Sequence, residues 1–299
     1  MTEKKILIVG GDGLIGSALV SFFRKAGVPL RFTSILRNLP YPDYVYLDLG
    51  DEPTEWKMPE DVGSVVFSSG ITKLDLCERD RSGTARVNVE GTYSLGKKLI
   101  DNGARVVFLS SNLVFDGSKP FPTHDDPVSP AVEYGRQKAR AERDLLDYGP
   151  DSVTVLRLTK VLGSRNSLFD NWKKDLQRGD TITPFTDMFM SPIPLSLVVH
   201  TIRLVLDRQA AGIFHLSGEK DVSYADAALF ACKILGIDSR NVKPIPASES
   251  AARPDVLVTS RTALDTTRLQ EELGMRAPGI EWTLEKAFLA PAMLEGGSL

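Results

Sequence analysis

The chain has little cysteine, little histidine and no long apolar run, and each shortage closes off a class of protein. Two cysteines among 299 residues, Cys77 and Cys232, cannot build a disulfide framework or a structural zinc site. Both are expected to be buried, inert thiols. His124, His200 and His215 are scattered without metal-ligand spacing, so no metal is expected. One stretch resembles a secretory leader, with lysines ahead of Ile6-Leu-Ile-Val9. Glycine breaks it after four apolar residues, far short of a leader's core or a membrane span. A formal charge of −3 and a pI near 5.8 leave no basic excess for nucleic acid or an anionic membrane. The expectation is a soluble, cytoplasmic protein with 42% apolar and 25% charged residues. Its length suits one large or two ordinary domains.

The first thirty residues carry a recognisable physical pattern. Lys5 to Val9 reads as a strand buried on both faces. Gly10-Gly-Asp-Gly-Leu-Ile-Gly16 follows, then an amphipathic run, Leu14 to Ala26, that stops before Gly27. Strand, glycine turn and helix form the context of a dinucleotide-binding fingerprint. In the GxxGxxG spacing of Gly10, Gly13 and Gly16, one glycine permits the tight turn. Another lets backbone amides approach a pyrophosphate, and the third lets helix pack on strand. The helix start at Leu14 and Ile15 adds partial positive charge.

A second strand is expected near Leu30 to Ser34. It ends without the Asp or Glu that normally meets a free ribose 2′-hydroxyl. Arg37, with Ser34, suits a 2′-phosphate instead, so NADP is expected as the cofactor and NAD less so. A strand from Val45 to Leu47 would bring Asp48 and Leu49 to the adenine. Another, Val65 to Phe67, would bring Ser69 and Gly70 to the cofactor.

The chemistry is expected between Val106 and Lys138. Arg105 to Leu109 is a buried-strand run leading into Ser110-Ser-Asn-Leu-Val-Phe-Asp-Gly117, and a helix opens at Glu133 after a proline-rich loop. Tyr134 and Lys138, four apart, share one helix face, and Ser111 ends the preceding strand, where open α/β sheets keep their sites. Hydroxyl, phenol and ammonium together suit proton transfer to a carbonyl. Bringing a phenol from near 10 to about 7 takes about 4 kcal/mol, and one ammonium at roughly 4 Å supplies about that at an effective dielectric near 20. Tyr93 and Lys97 repeat the spacing. Their helix is expected to begin near Thr84, which places Tyr93 roughly 13 Å along it. Tyr93 is therefore read as a packing residue.

Further strands at Val153 to Leu158 and Gly212 to Leu216, and a helix from Leu195 to Leu206, complete an alternating pattern. It predicts an α/β fold, a doubly wound parallel Rossmann sheet. Residues 1–162 form the NADP-binding domain, with 195–217 returning to it. Residues 163–194 and 218–299 form a smaller, mostly helical substrate-binding domain. There a capping box at Ser223-Tyr-Ala-Asp226 opens an apolar helix that ends before Gly236, followed by helical pieces at Thr266 to Leu273 and Thr283 to Leu289.

Gly10, Gly13, Gly16, Ser111, Tyr134 and Lys138 together resemble the extended short-chain dehydrogenase/reductases. Asp75-Leu-Cys-Glu78, Val87-Asn-Val-Glu-Gly-Thr92, Leu109 to Gly117 and Tyr134-Gly-Arg-Gln-Lys138 with Ala141-Glu142 sharpen the likeness. So do Asp187 to Pro192, Gly212 to Ser217, and Arg253-Pro254 ahead of Ala263-Leu-Asp265. They point to the dTDP-4-dehydrorhamnose reductase family of sugar-nucleotide reductases. The resemblance implies an NAD(P)H-dependent oxidoreductase acting on a nucleotide-linked 4-keto-6-deoxy sugar. It makes Tyr134 the general acid, Lys138 its activator and holder of the nicotinamide ribose, and Ser111 the donor to the carbonyl. Val161 joins the expected cofactor contacts.

Two positions depart from the family pattern. Thr-Asp-Tyr stands as Ser111-Asn112-Leu113, and a tryptophan after the sixth strand stands as Lys160. Asn112, Lys160 and Arg253 are the candidate substrate contacts, the two cations for a pyrophosphate or a carboxylate. Two alternatives stay open at this point. One is a nucleotide-sugar epimerase or dehydratase with retained NAD(P). The other is a non-catalytic NADP-binding subunit resembling the regulatory subunit of methionine adenosyltransferase. The partner expected is the nucleotide sugar, with neither nucleic acid nor membrane, and with a homodimer left open.

Overall fold

The computed structural model describes residues 4–57, 59–163, 167–250 and 261–289. The first half of the chain runs β1 (Lys5–Val9), α1 (Leu14–Lys25), β2 (Leu30–Ser34), β3 (Tyr44–Tyr46) and β4 (Val62–Phe67). Then come α2 (Leu74–Arg79), α3 (Arg81–Ala85), α4 (Thr92–Asp101), β5 (Arg105–Ser111) and α5 (Glu133–Tyr148). The second half holds β6 (Val153–Leu158), β7 (Lys160–Leu162), α6 (Ser167–Arg178), β8 (Phe189–Met190), β9 (Pro192–Pro194) and α7 (Leu195–Arg208). It closes with β10 (Gly212–Leu216), β11 (Val222–Ser223), α8 (Tyr224–Leu235), α9 (Thr267–Leu273) and α10 (Ile280–Leu289).

Seven strands pair in parallel in the order β10-β6-β5-β4-β1-β2-β3. Helices cover both faces, so the central strands read as unbroken apolar runs rather than alternating ones. Leu7, Ile8, Val65, Val66, Val155 and Leu156 are wholly hidden. α1, α7 and α9 bury Leu19, Phe23, Ile202 and Leu269 on one face, and α4 and α5 bury Leu95, Leu99 and Leu145 on the other. A third cluster, with Phe169, Trp172, Ala227, Leu284 and Phe288, joins α6, α8 and α10. The capping box forms: Ser223 Oγ accepts from the Asp226 amide at 2.9 Å, and Gly236 ends α8 in the left-handed region. The chain runs outward in opposite senses from β1 and β4. The crevice beyond the carboxyl ends of those two strands is the topological switch point where such sheets bind ligands.

The helix expected from Thr84 departs from the reading. α2 precedes it, α3 begins at Arg81, and Arg86–Gly91 widens into a π-type turn before α4. The cause is non-local. A Cβ on Gly91 would stand 2.0 Å from the Leu49 carbonyl oxygen, so the helix passes hard against the 48–50 turn. Asn88 reaches back to the loop after β4, accepting from the Ile71 amide at 2.8 Å and donating to the Ile71 carbonyl at 2.9 Å. Such widenings recur at functional sites.

A buried polar chain crosses the sheet from α5 to β10. Arg157 Nη2 donates to Glu142 Oε2 at 2.7 Å, Arg157 Nη1 lies 3.3 Å from His215 Nε2, and His215 Nδ1 lies 3.1 Å from the Asp265 carbonyl. A guanidinium can only donate, so Nε2 accepts and Nδ1–H donates, which fixes one neutral tautomer. Burial and then the Arg157 charge push the imidazole from 6.5 down to about 3. Between those values the unfolded chain binds a proton that the folded one refuses, so stability falls as pH drops below about 6.5. Thermal unfolding from pH 7.5 to 4.5 should show the midpoint falling more steeply in the native chain than in His215→Gln. Parallel slopes would remove this group from the acid response.

Candidate active site

Three buried hydroxyls without a hydrogen-bond partner mark the crevice: Ser69, Ser110 and Thr159. They stand at the carboxyl ends of β4, β5 and β6, which are neighbours in the sheet. A buried polar atom left unpaired costs about 1–3 kcal/mol, so this row suits a polar ligand. All three line a cavity of about 550 Å³, together with Ser111, Tyr134 and Lys138. That volume falls within the range of small-molecule sites, roughly 300–1,000 Å³.

The glycine turn lies against Ser69 at the edge of the cavity and brings Ile15 into its lining. Gly10 has φ +83°, donates its amide to Thr33 Oγ1 at 3.1 Å, and would place a Cβ 2.7 Å from that of Ser69. A Cβ on Gly16 would meet the Gly10 carbonyl oxygen at 2.0 Å, which is the close helix-on-turn packing the spacing implied. Gly13 has nothing nearer than 3.4 Å, so its backbone is open to a ligand. Gly11 had not been singled out, yet a Cβ there would lie 2.5 Å from the Phe32 ring. Ile15 lines the cavity, while Leu14 is exposed beside Gly163.

Beyond β2, the Arg37 guanidinium carbon lies 4.0 Å from the Tyr46 ring centroid, Nη2 donates to the ring's hydroxyl at 2.9 Å, and the residue is exposed. It has no carboxylate partner among the described residues, so a phosphate could recruit it. Ser34 and Asp48 chiefly shape turns: Ser34 Oγ accepts from the Leu36 amide at 3.0 Å, and Asp48 Oδ1 from Gly50 at 2.8 Å. Leu49 is buried.

On the reaction side, Ser111 caps a short 3-10 turn, accepting from the Leu113 amide at 3.2 Å and donating to Asn112 Oδ1 at 3.4 Å. A Cβ on Gly135 would stand 2.0 Å from the Leu113 carbonyl oxygen. Only glycine at this position lets the Ser111 turn rest on the helix that carries Tyr134. Glu78 holds the start of that helix: its carboxylate accepts the Glu133 amide at 2.7 Å and pairs with Arg81 at 2.8 Å and Arg136 at 3.4 Å. Gln137 braces the far side, accepting from Asn88 and donating to Thr84, both at 2.8 Å. The positioning work of Glu78, Asn88, Gly135 and Gln137 was missed from the sequence. The available signal was that all four fall within the stretches that carry the family likeness.

Tyr134 and Lys138 share the cavity wall, with 9% and 4% exposure. The expected acidification of the phenol is not met. Burial raises the phenol well above its ordinary range, with a smaller push from Cys77. Lys138 Nζ donates to the Leu109 carbonyl at 2.9 Å and lies 5.9 Å from the Tyr134 ring centroid. Burial lowers the ammonium to about 8, opposed by the Glu142 charge one turn on. Desolvation therefore outweighs the lysine that spacing alone had credited. Gly70, at φ +152°, lets the chain pass 3.8 Å from Lys138 Nζ, measured from where a Cβ would lie. Tyr93 packs edge-on to Tyr148 at 6.1 Å, Lys97 donates to Tyr148 at 2.7 Å, and neither Tyr93 nor Lys97 lines the cavity.

Asn112, Lys160 and Val161 also line the cavity, whereas Arg253 lies outside the described residues. Among the described residues, the lining holds two ammonium groups and no carboxylate. Among the described residues no cluster of His, Cys, Asp or Glu could hold a metal ion, and no helix is long and apolar enough to cross a membrane.

Residues 4–290 match the family model described as the RmlD substrate binding domain. The chain is 29% identical over 298 residues to a protein named probable low-salt glycan biosynthesis reductase Agl14 of Haloferax volcanii, covering 94% of this chain and 97% of the relative. It is also 29% identical over 244 residues to a dTDP-4-dehydrorhamnose reductase of Sinorhizobium fredii, covering 78% and 81%. A dTDP-4-dehydrorhamnose reductase of Bacillus anthracis, solved in complex with NADP, superposes with a TM-score of 0.82 at 18% identity over 96% of this chain and 99% of its own.

Proposed function

The chain belongs to the RmlD substrate binding domain family, and on that premise we propose that it is an NADPH-dependent reductase of a nucleotide-linked 4-keto-6-deoxy sugar. The observation that carries this reading is the meeting of Ser111, Tyr134 and Lys138 in one cavity, beside the unpaired hydroxyls of Ser69, Ser110 and Thr159. Similarity to reductases, one of them solved with NADP, supports it.

The turn from Gly10 to Gly16, with Leu14 and Ile15 at the start of α1, would hold the cofactor's pyrophosphate. Arg37 and Ser34 would meet the 2′-phosphate, Asp48 and Leu49 the adenine side, and Ser69, Gly70 and Val161 the nicotinamide end. When bound, NADPH supplies the hydride. Ser111 Oγ–H donates to the carbonyl oxygen of the sugar and orients it. Tyr134 gives that oxygen its proton, so that ketone plus hydride plus proton become the alcohol. Lys138, its Nζ 5.9 Å from the Tyr134 ring centroid, sets its positive charge near the phenolate that remains. The sugar-nucleotide side of the site would come from the second domain, whose Met188, Met190, Tyr224 and Thr262 line the cavity.

The test is consumption of NADPH, followed optically, against a panel of nucleotide 4-keto-sugars, with NADH alongside. Stoichiometric oxidation of NADPH is expected. Turnover without net consumption would indicate an epimerase or dehydratase, and no consumption with any member would overturn the reading. Arg37→Met should raise the KM for NADPH on the order of 10- to 100-fold through loss of a charge-assisted contact, with NADH kinetics little changed. An unchanged preference would remove Arg37 from the pocket.

A further inference from the structure

Lys160 opens β7 immediately beyond the end of β6, and its position is set by the sheet. β5 and β6 pair in register with Ser111 opposite Leu158, so Lys160 lies two residues past the end of the strand next to Ser111, where the chain leaves the main sheet and pairs with Pro192 of β9. Its side chain is exposed, yet exposed into the cavity rather than away from it. Among the described residues it has neither a carboxylate nor a hydrogen-bond partner, unlike most of the cations on this surface. The surrounding protein strips enough water to lower its pKa. Lys138, the other cation lining the cavity among the described residues, already donates to the Leu109 carbonyl, and none of the described lining residues is acidic. Next to Lys160, Thr159 Oγ1 is buried and unpaired. A partly desolvated ammonium beside an orphaned hydroxyl, at a cavity whose described lining carries no counter-charge, is completed by a ligand bringing negative oxygen.

We propose that Lys160 determines substrate specificity by receiving an oxyanion of the substrate, beside the carbonyl held by Ser111. This rests on the reductase reading above and deepens it. The oxyanion comes from one of two sources, a carboxylate on the sugar ring or the diphosphate of the nucleotide, and each leaves a different signature.

The experiment compares the native protein with Lys160→Met and Lys160→Arg, saturated with NADP for calorimetry and with NADPH for kinetics. Calorimetric titration uses dTDP and UDP alone as probes. Steady-state kinetics use a neutral nucleotide 4-keto-sugar and a nucleotide 4-keto-sugar acid. Because Lys160 has no partner in the described structure, the Met variant is expected to fold and to bind NADPH as the native chain does. A drop of 10-fold or more in nucleoside diphosphate affinity in the Met variant, restored by Arg, assigns the diphosphate as the source. Unchanged nucleotide affinity with a KM raised 10-fold or more for the sugar acid alone assigns the carboxylate. Affinities and KM values all within 2-fold of native overturn the proposal and leave the reductase reading standing. A native protein that binds neither nucleotide and oxidises no NADPH overturns both.

Discussion

Tyr134→Phe is expected to lose turnover by about 10²- to 10⁴-fold, the usual contribution of a positioned general acid, while NADPH binds as before. The change removes one oxygen from a ring that is 9% exposed and leaves the packing in place. The hydroxyl makes no hydrogen bond to any described residue, so its removal strands no partner and stability should hold. Fluorescence titration of NADPH with steady-state kinetics separates the two effects. Near-native turnover would take Tyr134 out of the mechanism. The pH profile adds a second reading. The phenol is raised by burial and stays protonated throughout the physiological range, so it does not set the limit. Lys138, lowered to about 8, does. Above that value the forming phenolate loses the charge of Lys138. Accordingly kcat/KM for the keto-sugar should fall as pH rises through about 8.

Local chemistry was legible from the residues alone. The β1–turn–α1 unit, the Tyr134 and Lys138 pair and the Ser223 capping box each rest on contacts within a few positions along the chain. Their periodicity or glycine spacing therefore carries the information. What stayed hidden depends on partners far away in sequence. Asn88 serves Ile71 and Gln137, and Glu78 serves a helix start at Glu133. Nothing near either residue discloses such a partner. The π-type turn at Arg86–Gly91 arises from the close approach of Gly91 to Leu49, and Gly11 is needed for the Phe32 ring. β7 and β9 are three-residue strands that exist only because they pair with each other. Electrostatics was the least legible of all. The i, i+4 spacing promised an acidified phenol, but the sign of the shift is set by the desolvation of a ring packed behind the sheet edge, which spacing cannot express.

The same low dielectric makes Glu142→Gln the most damaging conservative change expected in the core. Glu142 and Arg157 are 3% and 2% exposed, with Arg157 Nε 3.1 Å from each carboxylate oxygen and Nη2 at 2.7 Å from Oε2. The amide keeps the shape and withdraws the charge, leaving a guanidinium buried without a counter-ion. Breaking such a pair costs about 3–5 kcal/mol, on the order of 10 °C in the unfolding midpoint for a domain of this size. Replacing both partners together, as Glu142→Leu with Arg157→Met, should recover most of that loss, since buried pairs often yield to apolar packing with little net change. A double variant no more stable than the single one would mean that the damage is steric rather than electrostatic. The pair also reaches the site. Glu142 lies one helical turn from Lys138, and its charge opposes the lowering of that ammonium by burial. With the charge gone, Lys138 loses its proton at lower pH, so the alkaline limb of kcat/KM should move downward in Glu142→Gln, measured below its unfolding temperature. A stability loss with an unmoved limb would confine Glu142 to holding the sheet together. Movement of both would make one carboxylate responsible for the core's integrity and for the charge on Lys138.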